Sequence, residues 1–534
     1  MIRSVAAALA LTLAAGSAPG SAWAQALSPY ASAGEQQAAM TDGRVTSEQL
    51  VQAYLQRIDR IDKSGPKLNA VIAVNRHAVA DARRLDAERK AGHVRGPLHG
   101  VPILLKDNIE SADGAPTTAG SLALIANVAA QDAPIVKRLT EAGAVILGKA
   151  NLSEWANFRS TKSISGWSGV GGLVRNPYGL DRTACGSSAG SGAAVAAGLA
   201  AFAIGTETDG SVTCPAAING IVGLKPTVGL VSRSRIVPIS PEQDTAGPMT
   251  RTVADAAALL SVIAGSDPAD PATKGADTHK SNYLAALNRS ALKGARIGIW
   301  TPNKGRSPEA DAVLEDALKA LRAEGAVLVE VKGPDAATLG KISGLEGDCL
   351  RTEFKASINA YLATTPAAVK SRTLDDLIAF DKAEAREMPL FAQEIFEDAA
   401  KKPAITDPGY LAKRNEARTL ARGAIDAMLA ENKLDAIVVT GNGPAAIVDP
   451  VNGTRFFGPS AGLPAVSGYP HLVVPAGYAS GLPMAISFFG PAWSEAKLLG
   501  LGYAYEQATK ARREPEFLPN VAARPEIARA YDPR

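Results

Sequence analysis

The segment "CGSSAGSGAAVAAGLAAFAIGTETDGSVTCPAAINGIVGLKPT", Cys185 to Thr227, decides how the rest of the chain is read. Its glycine and serine content is that of a linker, yet "AAVAAGLAAFAIG" has to be buried, which a flexible linker does not require. The stretch predicts a small-residue helix, a short strand, and then the turn "TETDG" ending on Ser211. Successive backbone N–H groups in such a turn can point at one spot, the usual way to hold an oxyanion. Upstream, Gly186-Ser187-Ser188-Ala189-Gly190 fits the G-x-S-x-G pattern of a nucleophile elbow centred on Ser188. An elbow needs an apolar strand directly before its serine, and "RNPYGLDRTAC" is polar and turn-like. It also needs a histidine downstream. Only His279 and His471 follow, and His471 sits in an apolar strand pattern. Ser211 has the better context.

Outward from this segment, strands alternate with helices. "VTSEQLVQAYLQRIDRID" carries a capping box at Thr46 and Gln49, with Leu50, Tyr54, Leu55, Ile58 and Ile61 on one face. "HGVPILLKDNI" predicts a buried strand over Val101–Leu105 that delivers Lys106 at its end. A helix and the strand Val145–Gly148 follow, and later strands are expected at "RIGIW", "VLVEV", "AIVVT", "HLVVP" and "MAISFFG". This is an α/β pattern, and it predicts one large domain, residues 25–534, whose mixed, mostly parallel sheet is covered by helices. Residues 302–434 are richer in charged helices and predict a peripheral layer.

The 534 residues are 46% hydrophobic and 20% charged, with a net charge of +3. Such a balance gives no electrostatic case for nucleic acid or an anionic membrane. At the N-terminus, Arg3, the short apolar run Val5–Ala15 and Ala22-Trp23-Ala24 have the order of a secretory signal peptide, residues 1–24. The expected mature chain starts at Gln25 and resides in the periplasm. Three cysteines are present, Cys185, Cys214 and Cys349. An exported chain can oxidise one pair, and Cys185 and Cys214 flank the key segment, but sequence does not show that they bond. No metal-ligand spacing is found.

These segments closely resemble the amidase signature family. "GVPILLKDNI" is similar to its lysine segment. "CGSSAGS…GTETDGS…PAAINGIVGLKPT" is similar to its Ser-Gly core, and "ISPEQDTAGPM" and "AYEQATKARREPEF" to its later segments. The resemblance implies the amidase signature fold and a Ser-Ser-Lys triad that needs no cofactor. Ser211 corresponds to the nucleophile, Ser187 to a bridging serine joined to Gly186 by a cis peptide, and Lys106 to the base. Backbone N–H groups of Thr208, Asp209, Gly210 and Ser211 correspond to the oxyanion hole. The chemistry is sound independently of the resemblance. A serine hydroxyl needs a neighbouring base, and a lysine serves only when neutral, which burial promotes by lowering its pKa from about 10.4.

Within the family, "NLSEWANFRS", "SISGWS", "GGLVRNPYG" and "GTETDGS" are most like bacterial peptide amidases, which remove the amide from peptide C-termini. Trp155 and Trp167 either wall a substrate pocket or belong to the core. Many relatives carry Gly-Gly-Ser followed two residues later by arginine. Here Asp209-Gly210 precedes Ser211 and Thr213 replaces the arginine, which argues against the tRNA-amidotransferase and fatty-acid-amide branches. The expected ligand is a small-molecule or peptide amide, bound by a monomer. The alternatives are hydrolysis of other aliphatic or aryl amides, a component of an amidotransferase, and a periplasmic binding protein.

Overall fold

The capping box starts the first long helix as expected. In helix α1 (Ser47–Arg57) the Thr46 hydroxyl accepts the Gln49 N–H at 3.1 Å, and the Gln49 side chain accepts the Thr46 N–H at 2.9 Å. Leu50, Val51 and Tyr54 on its inner face are fully buried. The computed structural model describes residues 27–302, 304–305, 307–453 and 460–531. The expected signal peptide, residues 1–24, lies outside them.

Eleven strands form the main sheet among the described residues. They are β1 (Val71–Val74), β2 (Pro102–Lys106), β3 (Val145–Ala150), β4 (Phe202–Glu207), β5 (Val222–Lys225), β6 (Thr245–Thr250), β7 (Arg296–Ile299), β8 (Val327–Glu330), β9 (Ala436–Asn442), β10 (His471–Ala479) and β11 (Leu482–Phe489). The spatial order is β1-β3-β2-β4-β6-β5-β10-β11-β9-β7-β8. The sheet is mixed, as expected, but the expected parallel majority is corrected. Only the pairs β2–β3, β2–β4, β7–β8 and β7–β9 are parallel. The other six pairs are antiparallel. One physical reason lies in "YASGLP". Ser480 and Gly481 both take positive φ, 47° and 78°, which makes a two-residue hairpin between β10 and β11. What reads as two strands in a βαβ alternation is a hairpin.

Helices α2 (Ala189–Ala196) and α3 (Thr213–Ile218) are buried along their whole length. At Gly190 any Cβ would collide with the backbone of Ala70 and Asn151, so only glycine lets α2 approach this closely. The charged region 302–434 supplies β8 at the sheet edge and the long helices α4 (Ala336–Thr364) and α5 (Pro408–Asn432). Arg414 on α5 and Glu353 on α4 form a buried ion pair that ties these helices together. The architecture is a single large α/β domain whose sheet is covered by helices. Among the described residues no helix is long and apolar enough to cross a membrane.

Candidate active site

The parallel strands β2 and β4 end side by side, and both C-terminal ends carry the residues singled out in the sequence. Strand β2 is wholly buried because β3 and β4 flank it. Its last residue is Lys106, with no solvent exposure. The Lys106 Nζ lies 2.7 Å from Ser187 Oγ, 2.8 Å from Thr206 Oγ1 and 3.2 Å from the Thr206 carbonyl. Burial pushes its pKa down to about 7, against the opposite pull of the Asp244 and Glu207 carboxylates. A lysine in this position is a usable base near neutral pH.

Ser187 follows a cis peptide bond from Gly186. A Cβ at Gly186 would strike the Ser153 and Ser165 hydroxyls, which would have to move aside. The Ser187 carbonyl accepts the Ser153 N–H at 3.0 Å, and the Ser188 N–H donates to the Ser211 carbonyl at 3.1 Å. The two serine-bearing loops are thus bonded directly. They are also joined covalently: Cys185 and Cys214, left open by the sequence, form a disulfide with Cα atoms 6.1 Å apart. The Ser188 hydroxyl donates to the Thr206 carbonyl at 3.1 Å and accepts the Thr206 N–H at 3.2 Å. Ser188 is a fully buried clamp between α2 and β4, not an elbow serine.

Beyond β4 the chain turns through Thr208, Asp209, Gly210 and Ser211, with Gly210 at φ 78°. The Glu207 carboxylate accepts the N–H groups of Val212 at 2.7 Å and Thr213 at 2.9 Å, and the Thr213 hydroxyl as well. Glu207 therefore caps α3, and Thr213 serves that cap. Thr208 to Ser211 lies along one wall of a cavity of about 260 Å³. Ser211 reaches this cavity, whereas Ser187 lies behind it, fully buried beside Lys106. The structure places Lys106 against Ser187 in the interior, and the next residue, Ser188, bonds the backbone of Ser211 at the cavity.

The rest of the cavity was not found from sequence. Ala156, Phe158, Ile239 and Leu350 make it apolar on one side, and Asn157, Asn442 and Ser460 supply hydrogen-bonding groups. Trp155, Ala156 and Asn157 have φ of 48°, 55° and 67°, three left-handed residues in a row. This twist puts Ala156, Asn157 and Phe158 on the cavity and Trp155 in the core. Trp155 and Trp167, expected either to wall a substrate pocket or to belong to the core, lie in buried hydrophobic clusters and do not line this cavity. Trp155 is buried edge-on to Phe396 at 5.8 Å, and Trp167 edge-on to Phe391 at 5.3 Å. His471 is fully buried, bonds Ser460 rather than any candidate serine, and is held neutral by burial, with a pKa of about 3.

A serine lining a cavity, with a buried, deprotonable lysine bonded to a nearby second serine, suits nucleophilic catalysis by a serine on an α/β sheet. Comparison with known proteins agrees. A sequence model described as Amidase matches residues 49–499, and the chain belongs to that family, the one its motifs resemble. It is similar to a crystal structure of native peptide amidase from Stenotrophomonas maltophilia, 50% identical, with a TM-score of 0.86 over 92% of this chain and 99% of that one. It is also similar to the crystal structure of an amidase family protein from Bacillus anthracis, 38% identical, with a TM-score of 0.82 over 91% of this chain and 92% of that one. It is 42% identical to a probable amidase of Arabidopsis thaliana over 90% of each chain. The protein is an amidase that hydrolyses C–N amide bonds.

Proposed function

We propose that this amidase releases ammonia from the C-terminal carboxamide of peptides, through an acyl-enzyme on Ser211. Lys106, neutral, takes the Ser187 proton as Ser187 takes that of Ser211, and the alkoxide attacks the amide carbon. The N–H groups of the Thr208–Ser211 turn stabilise the carbonyl oxygen as it becomes negative. The relay then returns the proton to the leaving nitrogen, and water hydrolyses the ester by the same path in reverse. The observation that carries the reading is the 2.7 Å contact between Lys106 Nζ and Ser187 Oγ, on a loop bonded to the backbone of Ser211, which lines the cavity. The 50% identity to peptide amidases supports the substrate class. The apolar wall of Ala156, Phe158, Ile239 and Leu350 suits the side chain of a terminal residue. The reading needs no cofactor, metal or nucleic acid, and takes the protein as a monomer.

Incubation with amidated peptides should yield free ammonia and a mass gain of about 1 Da at the C-terminus, the signature of –NH₂ replaced by –OH. Internal cleavage products would make the enzyme an endopeptidase. Activity confined to small aryl amides would move it to another branch of the family.

The leader sequence supports export. N-terminal sequencing of protein from the periplasmic fraction should start at Gln25. A cytosolic chain starting at Met1 would refute export.

A further inference from the structure

The hydrogen-bond count at Lys106 leads to a residue with no role so far. A neutral lysine amine donates two hydrogens and accepts one. Its three neighbours are the Thr206 carbonyl, Thr206 Oγ1 and Ser187 Oγ. The carbonyl can only accept. For the lone pair to face the Ser187 hydroxyl, the second lysine hydrogen must go to Thr206 Oγ1. If instead the Thr206 hydroxyl donates to the lysine, the base is blocked. The direction of one threonine hydrogen decides whether Lys106 can act.

Two features bear on that hydrogen. The Asn108 Nδ2 donates to Thr206 Oγ1 at 3.0 Å, so one direction around the oxygen is already filled by a donor. Beside them lies a small chamber of about 30 Å³, lined by Asn108, Thr206, Thr208, Arg233 and Asp244 among others. That is room for a water molecule with several polar partners. Asn108 is buried, 3% exposed, and its Oδ1 has no hydrogen-bond partner among the described residues. Ala156, Thr208 and Ile239 line both the chamber and the substrate cavity, so the two are neighbours.

We propose that Asn108 is a positioning residue for the base, and that a water bound in this chamber accepts the Thr206 hydroxyl hydrogen and donates to Asn108 Oδ1. Asn108 and the water together turn the hydroxyl away from Lys106. Thr206 then accepts from the lysine, and the lysine lone pair faces Ser187. The inference rests on Lys106 being the base. The charged groups facing this site are Glu207 at the end of β4, Asp244 before β6, and Arg233. Arg233 is already paired with Asp270 at 2.6 Å.

The test is the pH profile of kcat/KM for amide hydrolysis in Asn108→Ala and Asn108→Asp, beside wild type and Lys106→Met. Asn108→Ala should lower kcat about tenfold, part of the 10²–10⁴ that a placed base supplies, with KM within about twofold. Asn108→Asp keeps the shape but places a carboxylate two hydrogen bonds from Lys106. It should move the acid limb up by about one pH unit, because a nearby negative charge favours the protonated lysine. An acid limb unmoved or lowered in Asn108→Asp overturns the proposal, as does an Asn108→Ala defect that lies in KM. Lys106→Met separates the two readings. If it stays active, the base assignment itself fails. If it is inactive while the Asn108 variants keep the wild-type limb, only the positioning role fails.

Discussion

Ser211→Ala will abolish covalent labelling by a fluorophosphonate probe and reduce amide hydrolysis by roughly four orders of magnitude or more, as loss of a triad nucleophile does elsewhere. Three serines crowd the site, and their surroundings assign them different work. Ser211 alone reaches the cavity, so it alone can carry an acyl group. Ser187 is buried and bonded to Lys106, and in the proposed relay it carries the proton. Its alanine variant should slow acylation severely yet leave Ser211 able to label slowly. Ser188 is committed to the Thr206 backbone through both its lone pair and its hydrogen. Ser188→Ala should therefore act on stability more than on rate. Groups in one relay are not additive, so Ser187→Ala combined with Ser211→Ala should be little worse than Ser211→Ala. Peptide mass spectrometry of the adduct decides the assignment. A probe attached to Ser188 would revive the elbow reading.

The residues proposed for the relay stood out through the family resemblance of their segments, and two of them lie at positions that sequence also marks locally. Lys106 ends an apolar strand, Ser211 ends a glycine turn after another, and parallel neighbours necessarily bring such strand ends together. The cavity was not legible, because its walls come from distant segments: Leu350 from α4, Asn442 from the end of β9, and Ser460 from the segment after it. The tryptophans show a different limit. Trp155 is adjacent to the cavity in sequence, and "NLSEWANFRS" does contribute to the site. Three left-handed residues then turn its ring inward and present Asn157 and Phe158 instead. No periodicity announces such a turn, since non-glycine residues adopt that conformation rarely. The hairpin at Ser480-Gly481 is hidden for a related reason. Its strands are apolar on both faces, so their burial does not distinguish antiparallel pairing from parallel. Asn108 and Thr206 stand within the quoted motifs, but their value lies in an oxygen they share, which only the fold reveals.

Lys106→Met should be as inactive as Ser211→Ala while remaining folded, and its stability should respond to pH differently from wild type. The catalytic half follows from protonation. Only the neutral amine accepts a proton, so wild-type kcat/KM should fall about tenfold per pH unit below about 7, the value to which burial brings Lys106. Methionine fills the same volume with no base. Lys106→Arg keeps the donors but stays protonated, so it should be inactive at every pH. The stability half follows from the same shift. In the unfolded chain the lysine titrates at about 10.4, and in the folded protein at about 7. Between those values the unfolded state binds the extra proton, so the lysine's contribution to stability rises with pH across that window and levels off above and below it. At pH 7 and below, the buried amine costs the fold on the order of 4 kcal/mol relative to strongly alkaline solution. Methionine removes that dependence. Denaturant unfolding of both proteins from pH 7 to 10 should therefore show wild type gaining on the variant as pH rises. Parallel curves would mean that Lys106 keeps an ordinary pKa in the fold, and the relay would then need another base.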